Sequence, residues 1–178
     1  LEPNTTIAPH IYTAYFNGSA SVYVEVPDSP SINPGYITAL IWIYQTANLA
    51  GSQWTALRKV GQYFVEPGDA GTNYWAFAAN IGGVIRRCDT TAPLPINMWH
   101  MVGGYNDGNN QCVVVDGRVD RCISASGTIT TQSGSLRIGS YSSEVFIGYI
   151  SAVYLYSRAL TDSEIQQVYS SNVLNASG

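Results

Sequence analysis

Apolar residues recur at every second position along most of this chain. Ile37, Ala39, Ile41 and Ile43 alternate with Thr38, Leu40, Trp42 and Tyr44. A period of two predicts a strand whose successive side chains point to opposite faces. Both sets here contain large apolar groups, so the strand over residues 36–44 is expected to be central, with its second face only partly open to water. Val22, Val24 and Val26 alternate with Ser21, Tyr23 and Glu25 until Pro27, which cannot donate to a ladder and ends the run. Further strands are expected over 55–64, 74–79, 81–88, 98–105, 112–115 and 118–122, with turns at 68–73 and 106–110. Val153 and Leu155 alternate with Tyr154 and Tyr156 in a late strand.

The period then changes once. Ile165, Val168 and Tyr169 fall on one helical face, and Thr161 stands three residues before Glu164. That spacing lets a hydroxyl and a carboxylate satisfy orphan N–H groups at a helix start, so a short helix is predicted over 161–170. Many short strands at about ten-residue spacing and one late helix predict an all-β fold of two antiparallel sheets. Residues 1–9 contain two prolines and no periodicity, and read as a linker or edge extension. Residues 10–173 read as one domain, and 174–178 as a tail. A length of 178 residues suits that count.

Composition narrows the function classes. Charged residues are 11% of the chain, against about a quarter in ordinary soluble domains. Ser, Thr, Tyr, Asn and Gly fill the surface instead, which suits an extracellular or cell-surface protein. The formal charge is −4 and the eight Lys and Arg are scattered, so a nucleic-acid partner is not expected. No membrane span is expected, because no apolar run approaches 18 residues. No Met begins the chain, which reads as a mature or excised piece tethered to other domains of one protein. Asn4-Thr5-Thr6, Asn17-Gly18-Ser19 and Asn175-Ala176-Ser177 fit the N-glycosylation pattern.

Cys112 and Cys122 flank the Asp116-Gly117 turn, and Cys88 is the third cysteine. A three-residue loop with a bulge would set Cys112 opposite Cys122 and permit a bond. A two-residue loop would point them to opposite faces. A bond from Cys88 to either is the alternative. Zinc would need closely spaced Cys or His, which the sequence lacks.

Catalysis is not expected. Glycan hydrolysis on a sheet calls for a pair of carboxylates flanking the substrate. The nearest pairs are Glu25 with Asp28, Asp116 with Asp120, and Asp162 with Glu164. They sit before a Pro-rich loop, around a turn, and at a helix start where acids suit the dipole. His100 lies inside a strand pattern and reads as structural.

Aromatic rings are the more informative chemistry. Thirteen Tyr and four Trp supply flat apolar faces for the C–H face of a sugar ring. Trp42 and Tyr44 share the non-core face of the central strand. Trp54 sits beside Ser52 and Gln53, a polar setting that favours exposure. Trp75 is a further candidate, and Arg86 is a candidate for a ligand hydroxyl or carboxylate. The mid-strand pair Gly103-Gly104 either opens a groove or admits close packing.

Several segments, in order, resemble laminin G-like, concanavalin A-like jelly-roll domains. They are Tyr15-Phe16-Asn17-Gly18-Ser19, residues 37–43 with Trp42, Trp99-His100-Met101-Val102, Val115-Asp116-Gly117, Leu136-Arg137-Ile138-Gly139, and Phe146-Ile147-Gly148-Tyr149-Ile150 with Tyr156-Ser157-Arg158-Ala159-Leu160. The resemblance runs over about residues 11–170 and implies a jelly roll. The chain is similar to a family that includes lectins, adhesion modules and hydrolases, and with the rings the resemblance implies a non-catalytic module for a polysaccharide or other glycan; the alternatives are a protein-binding adhesion or structural module and, after it, a glycan-processing enzyme domain. For cofactors the resemblance implies either none or one structural calcium ion near Asn17, Ser19 and Ser151. Asn17 and Ser151 stand where the family carries acids, so any such calcium would be weakly bound.

Overall fold

A computed structural model of the chain describes residues 13–48, 54–67 and 73–173. The expected linker (1–9), the tail (174–178), most of the 68–73 turn, and the acceptor patterns at Asn4 and Asn175 lie outside the described residues. Among the described residues fourteen strands follow in chain order: β1 (Ala14–Asn17), β2 (Val24–Val26), β3 (Ile37–Gln45), β4 (Leu57–Lys59), β5 (Tyr63–Pro67), β6 (Trp75–Ile81) and β7 (Val84–Asp89) come first. Then come β8 (Trp99–Asn106), β9 (Asn110–Val115), β10 (Arg118–Ser124), β11 (Leu136–Ile138), β12 (Ser140–Tyr141), β13 (Glu144–Val145) and β14 (Ile147–Tyr156). One helix, α1 (Asp162–Asn172), ends the fold.

The strands form a jelly-roll sandwich. The first sheet runs β1-β14-β3-β8-β9-β10 and the second β2-β11-β4-β5-β6-β7, while β12 and β13 make a small hairpin. All pairings between named strands are antiparallel. The two sheets bury Ile37, Ala39, Ile41 and Ile43 of β3 against Leu57, Val65, Trp75 and Phe77, as the alternation predicts. The expected strand over 55–64 is two strands, because Gly61 takes φ +70° and turns the chain back. Gly82-Gly83, both at positive φ, make the turn of the β6–β7 hairpin.

Gly103 and Gly104 serve close packing rather than a groove. A Cβ on Gly103 would lie 1.9 Å from the Ala39 carbonyl oxygen, and one on Gly104 would lie 2.2 Å from that of Cys112.

The disulfide joins Cys112 to Cys122, and Cys88 is free and buried. The turn between β9 and β10 is nevertheless the two-residue kind, since Val115 pairs with Arg118. A bulge between Val119 and Arg121 shifts the register by one residue and brings Cys112 opposite Cys122. The extra residue, Asp120, accepts hydrogen bonds from the N–H (2.6 Å) and hydroxyl (2.9 Å) of Thr91. Loop length alone therefore did not decide the pairing.

Helix α1 begins at a capping box. Thr161 Oγ1 accepts from the Glu164 N–H at 3.3 Å, and the Glu164 carboxylate accepts from the Thr161 N–H at 2.9 Å. Ile165 is buried with Leu40, Trp42, Met101 and Val114, so the helix covers part of the outer face of the first sheet. Among the described residues no helix is long and apolar enough to cross a membrane.

Candidate functional site

Pairing register builds one feature from four separate strands. Tyr15 of β1 pairs with Tyr149 of β14, Tyr149 with Tyr44 of β3, and Tyr44 with Trp99 of β8. Side chains at paired positions share a face. The four rings therefore form a row across the first sheet, perpendicular to its strands. Neighbouring centroids are 5.0, 6.0 and 5.6 Å apart, with interplanar angles of 43°, 74° and 60°. These are edge-to-face and tilted contacts of ordinary spacing. Tyr15 is 53% exposed and Tyr149 38%, while Tyr44 and Trp99 are half-buried. No ring in the row carries a formal charge.

The row stands beside the helix, not under it. Two residues back along β3, Trp42 is capped by Tyr169 of α1, with parallel rings 5.3 Å apart and 15° between planes. Trp42 is consequently 2% exposed. Its place on the outer face is as the alternation predicts, but the helix removes it as a stacking surface. Trp54 is also buried, at 9% exposure, against the expectation of exposure. Its neighbours Thr55 and Ala56 are fully buried, and Ala56 already bonds into the second sheet through the Val65 carbonyl. Polar Ser52 and Gln53 misled because the polarity of sequence neighbours does not report the burial of a side chain. Trp75 lies wholly inside, edge-on to Phe146 at 6.2 Å, with its Nε1–H donated to Gln45 at 3.3 Å. Arg86 is exposed on β7, at the edge of the second sheet, and does not join Tyr44.

Of the five ligand candidates read from sequence, the structure thus brings only Tyr44 into the row. Tyr15, Tyr149 and Trp99 were missed. The signal for Tyr15 was present: Phe16 is a core residue, so Tyr15 must face out. The row as a whole left no such signal, because it depends on the adjacency of β1 and β14.

The residues proposed for calcium do not fit the ion. Asn17 pairs with Ile147, whereas Ser151 lies beyond the Ala14–Ile150 pair at the other end of β1. Ser151 is thus four residues from Ile147, about 13 Å along the strand at the usual rise per residue. Asn17 Oδ1 accepts from the Ser19 N–H at 3.0 Å, and the Ser19 hydroxyl bonds Ser21. Among the described residues no group of three His, Cys, Asp or Glu side chains is placed to hold a metal.

The outer face of the second sheet carries a different chemistry. Arg58 lies between the rings of Phe64 (5.1 Å) and Tyr141 (4.9 Å) and donates to Glu144, which also accepts from Thr55 at 2.6 Å. Arg87 reaches across β6, over Ala76 and Ala78, to Glu66, and bonds Asp89 at 2.9 Å. Burial pushes the Glu66 carboxyl above its usual range, and Arg87 opposes that. The five charged groups are spent on one another. His100 is similarly committed: its Nδ1 is 2.8 Å from Asp116, whose other oxygen accepts the Met101 N–H. Sequence reasoning missed the Arg–Glu network because its members come from four separated segments.

A family model described as the concanavalin A-like lectin/glucanases superfamily matches residues 17–166. None of the curated proteins matches the chain. Among solved structures, a candidate carbohydrate-binding protein from Bacteroides ovatus superposes with a TM-score of 0.71 at 18% identity, covering 87% of this chain and 46% of its own. Domain 4 of AbnA, a GH43 extracellular arabinanase from Geobacillus stearothermophilus in complex with arabinotriose, gives 0.70 at 17% identity, covering 88% and 76%. The SAP-like heptameric pentraxin of Limulus polyphemus gives 0.66 at 13%, covering 91% and 83%. At these identities the likeness is one of fold. The chain spans less than half the length of the Bacteroides protein.

Proposed function

The chain belongs to the concanavalin A-like lectin/glucanases superfamily, and from that premise we propose that it is a non-catalytic carbohydrate-binding module of a larger extracellular protein. One observation carries the reading: the row of Tyr15, Tyr149, Tyr44 and Trp99 across four adjacent strands. Each ring offers an apolar surface to sugar C–H groups, and the three phenols and the indole add hydroxyl and N–H partners at its edge. Uncharged rings suit a neutral glycan.

The non-catalytic part rests on the carboxylates. Glu144 and Glu66 share the Arg58 guanidinium, and Glu66 also holds Arg87. Neither is free to exchange a proton with a glycosidic oxygen. An extracellular site suits the Cys112–Cys122 disulfide, since reducing compartments do not keep such bonds. Attachment to further domains suits the Bacteroides protein, which is more than twice the matched length.

Titration against a panel of soluble polysaccharides, with Tyr44→Ala beside the parent, tests the reading. Binding by the parent and its loss in the variant are expected, with unchanged melting temperature. A parent that binds no glycan overturns the proposal and leaves a protein-binding adhesion module. Turnover of the bound glycan that disappears in Glu66→Gln overturns the non-catalytic part.

A further inference from the structure

Resting on that reading, we infer that the row takes a single, soluble, extended glycan chain laid across the strands, with one sugar residue per ring, and not a flat crystalline surface. Spacing supplies the first argument. Adjacent strands lie about 4.8 Å apart, and the rings of the row follow at 5.0 to 6.0 Å. That step matches the advance per residue of an extended β-1,4-linked pyranose chain, so consecutive sugars meet consecutive rings. Running along a strand instead, the chain would leave the row at once. Towards the helix the next position is Trp42, already covered by Tyr169. Away from it, Tyr15 and Tyr149 are followed at the second residue by the pair Asn17 and Ile147, which has no ring.

Ring orientation supplies the second argument. A crystalline polysaccharide face is planar and needs coplanar rings. Here each ring is turned from the next by 43°, 74° and 60°. Only a free chain, rotating about its glycosidic bonds, can meet such a series. Exposure falls along the row from Tyr15 to the half-buried Tyr44 and Trp99, so the chain has an open end at β1 and a more enclosed end at β8.

The test uses oligosaccharides of one to six residues from neutral β-1,4-glucan, -xylan and -mannan, with α-1,5-arabinan as a series of different repeat and microcrystalline cellulose as the planar surface. Affinity in a β-1,4 series should rise about tenfold per added residue up to the tetrasaccharide and then level. Tyr15→Ala should bring the tetrasaccharide down to the trisaccharide's affinity and leave the disaccharide unchanged. Crystalline cellulose should not retain the protein. Retention on cellulose that Tyr44→Ala abolishes would overturn the inference while keeping the row as a glycan site. So would a flat length dependence, a tetrasaccharide indifferent to Tyr15→Ala, or a preference for the arabinan series. Absence of binding to every member would overturn the inference together with the reading beneath it.

Discussion

Trp42 and Tyr44 stand two residues apart on the same face of the same strand, and they have opposite fates. Trp42 is sealed under Tyr169 of α1, whereas Tyr44 remains half-open in a row of rings. Nothing in β3 itself separates them. The difference is where the helix lies, and that is set by a capping box more than a hundred residues further along the chain. One sheet face is thereby divided into a packed half and a presenting half. The outer face of the second sheet offers a further contrast: its Arg–Glu groups saturate one another, while the rings of the presenting half touch one another and, through Trp99, the apolar cluster under the helix.

Exchanging the fates of the two residues tests the division most severely. Trp42→Ala should cost about 3–5 kcal/mol of stability on denaturant unfolding, the usual cost of an aromatic deleted from a packed site. The folded fraction should still bind glycan. A small loss of stability together with lost binding would reverse the roles assigned to the two rings. Tyr44→Ala should cost about 1–3 kcal/mol of binding by calorimetry, the range for an anchor ring in a recognition site, with little change in unfolding midpoint.

The helix cover can be loosened without touching either ring. Thr161→Ala removes the N-cap and should lower stability by about 1 kcal/mol while glycan affinity stays at the parent's value. Acid acts at the same place. The Arg158 guanidinium, and then the Thr161 N–H, hold the Glu164 carboxyl down to about 2. A carboxyl depressed in the folded state stabilises above its unfolded value and loses that contribution as pH falls towards its folded one. Stability should therefore decline between about pH 4.5 and pH 2, and Glu164→Gln should flatten that part of the profile. Chelator should have the smallest effect, a melting temperature within about 2 °C of the untreated protein. A drop of 15 °C or more would reveal a tight calcium site elsewhere, because bound-ligand stabilisation grows with concentration over affinity.

Much of this division was legible in the sequence, though not its outcome. Alternation placed Ile37 to Tyr44 correctly in two sets, and the Thr161–Glu164 spacing located the helix start. Local pattern could not say which outward rings the helix would cover, because that depends on tertiary placement. Trp54 shows the same limit from the other side, since polar neighbours in sequence do not report burial. The disulfide stayed open in the sequence for want of a single residue: the Asp116-Gly117 turn left the loop length undecided, and the bulge at Asp120 that sets Cys112 opposite Cys122 leaves no local signal. Tyr15 and Tyr149 were individually assignable to an outward face. Their meeting was not, since it needs the pairing of strands more than a hundred residues apart.

That pairing has a kinetic side. Tyr15 and Tyr149 sit on the first and last described strands, and they become neighbours only when β1 docks on β14. Closing so long a loop costs chain entropy before its contacts form. A chain still emerging during synthesis, or one nicked within β1, has the inner rings but not the complete row. A sugar chain spanning Tyr15 and Tyr149 would tie the first described strand to the last. Amide exchange in β1 should therefore slow more on binding than exchange in β3, whose ring is just as close to the ligand but whose strand is already held on both sides.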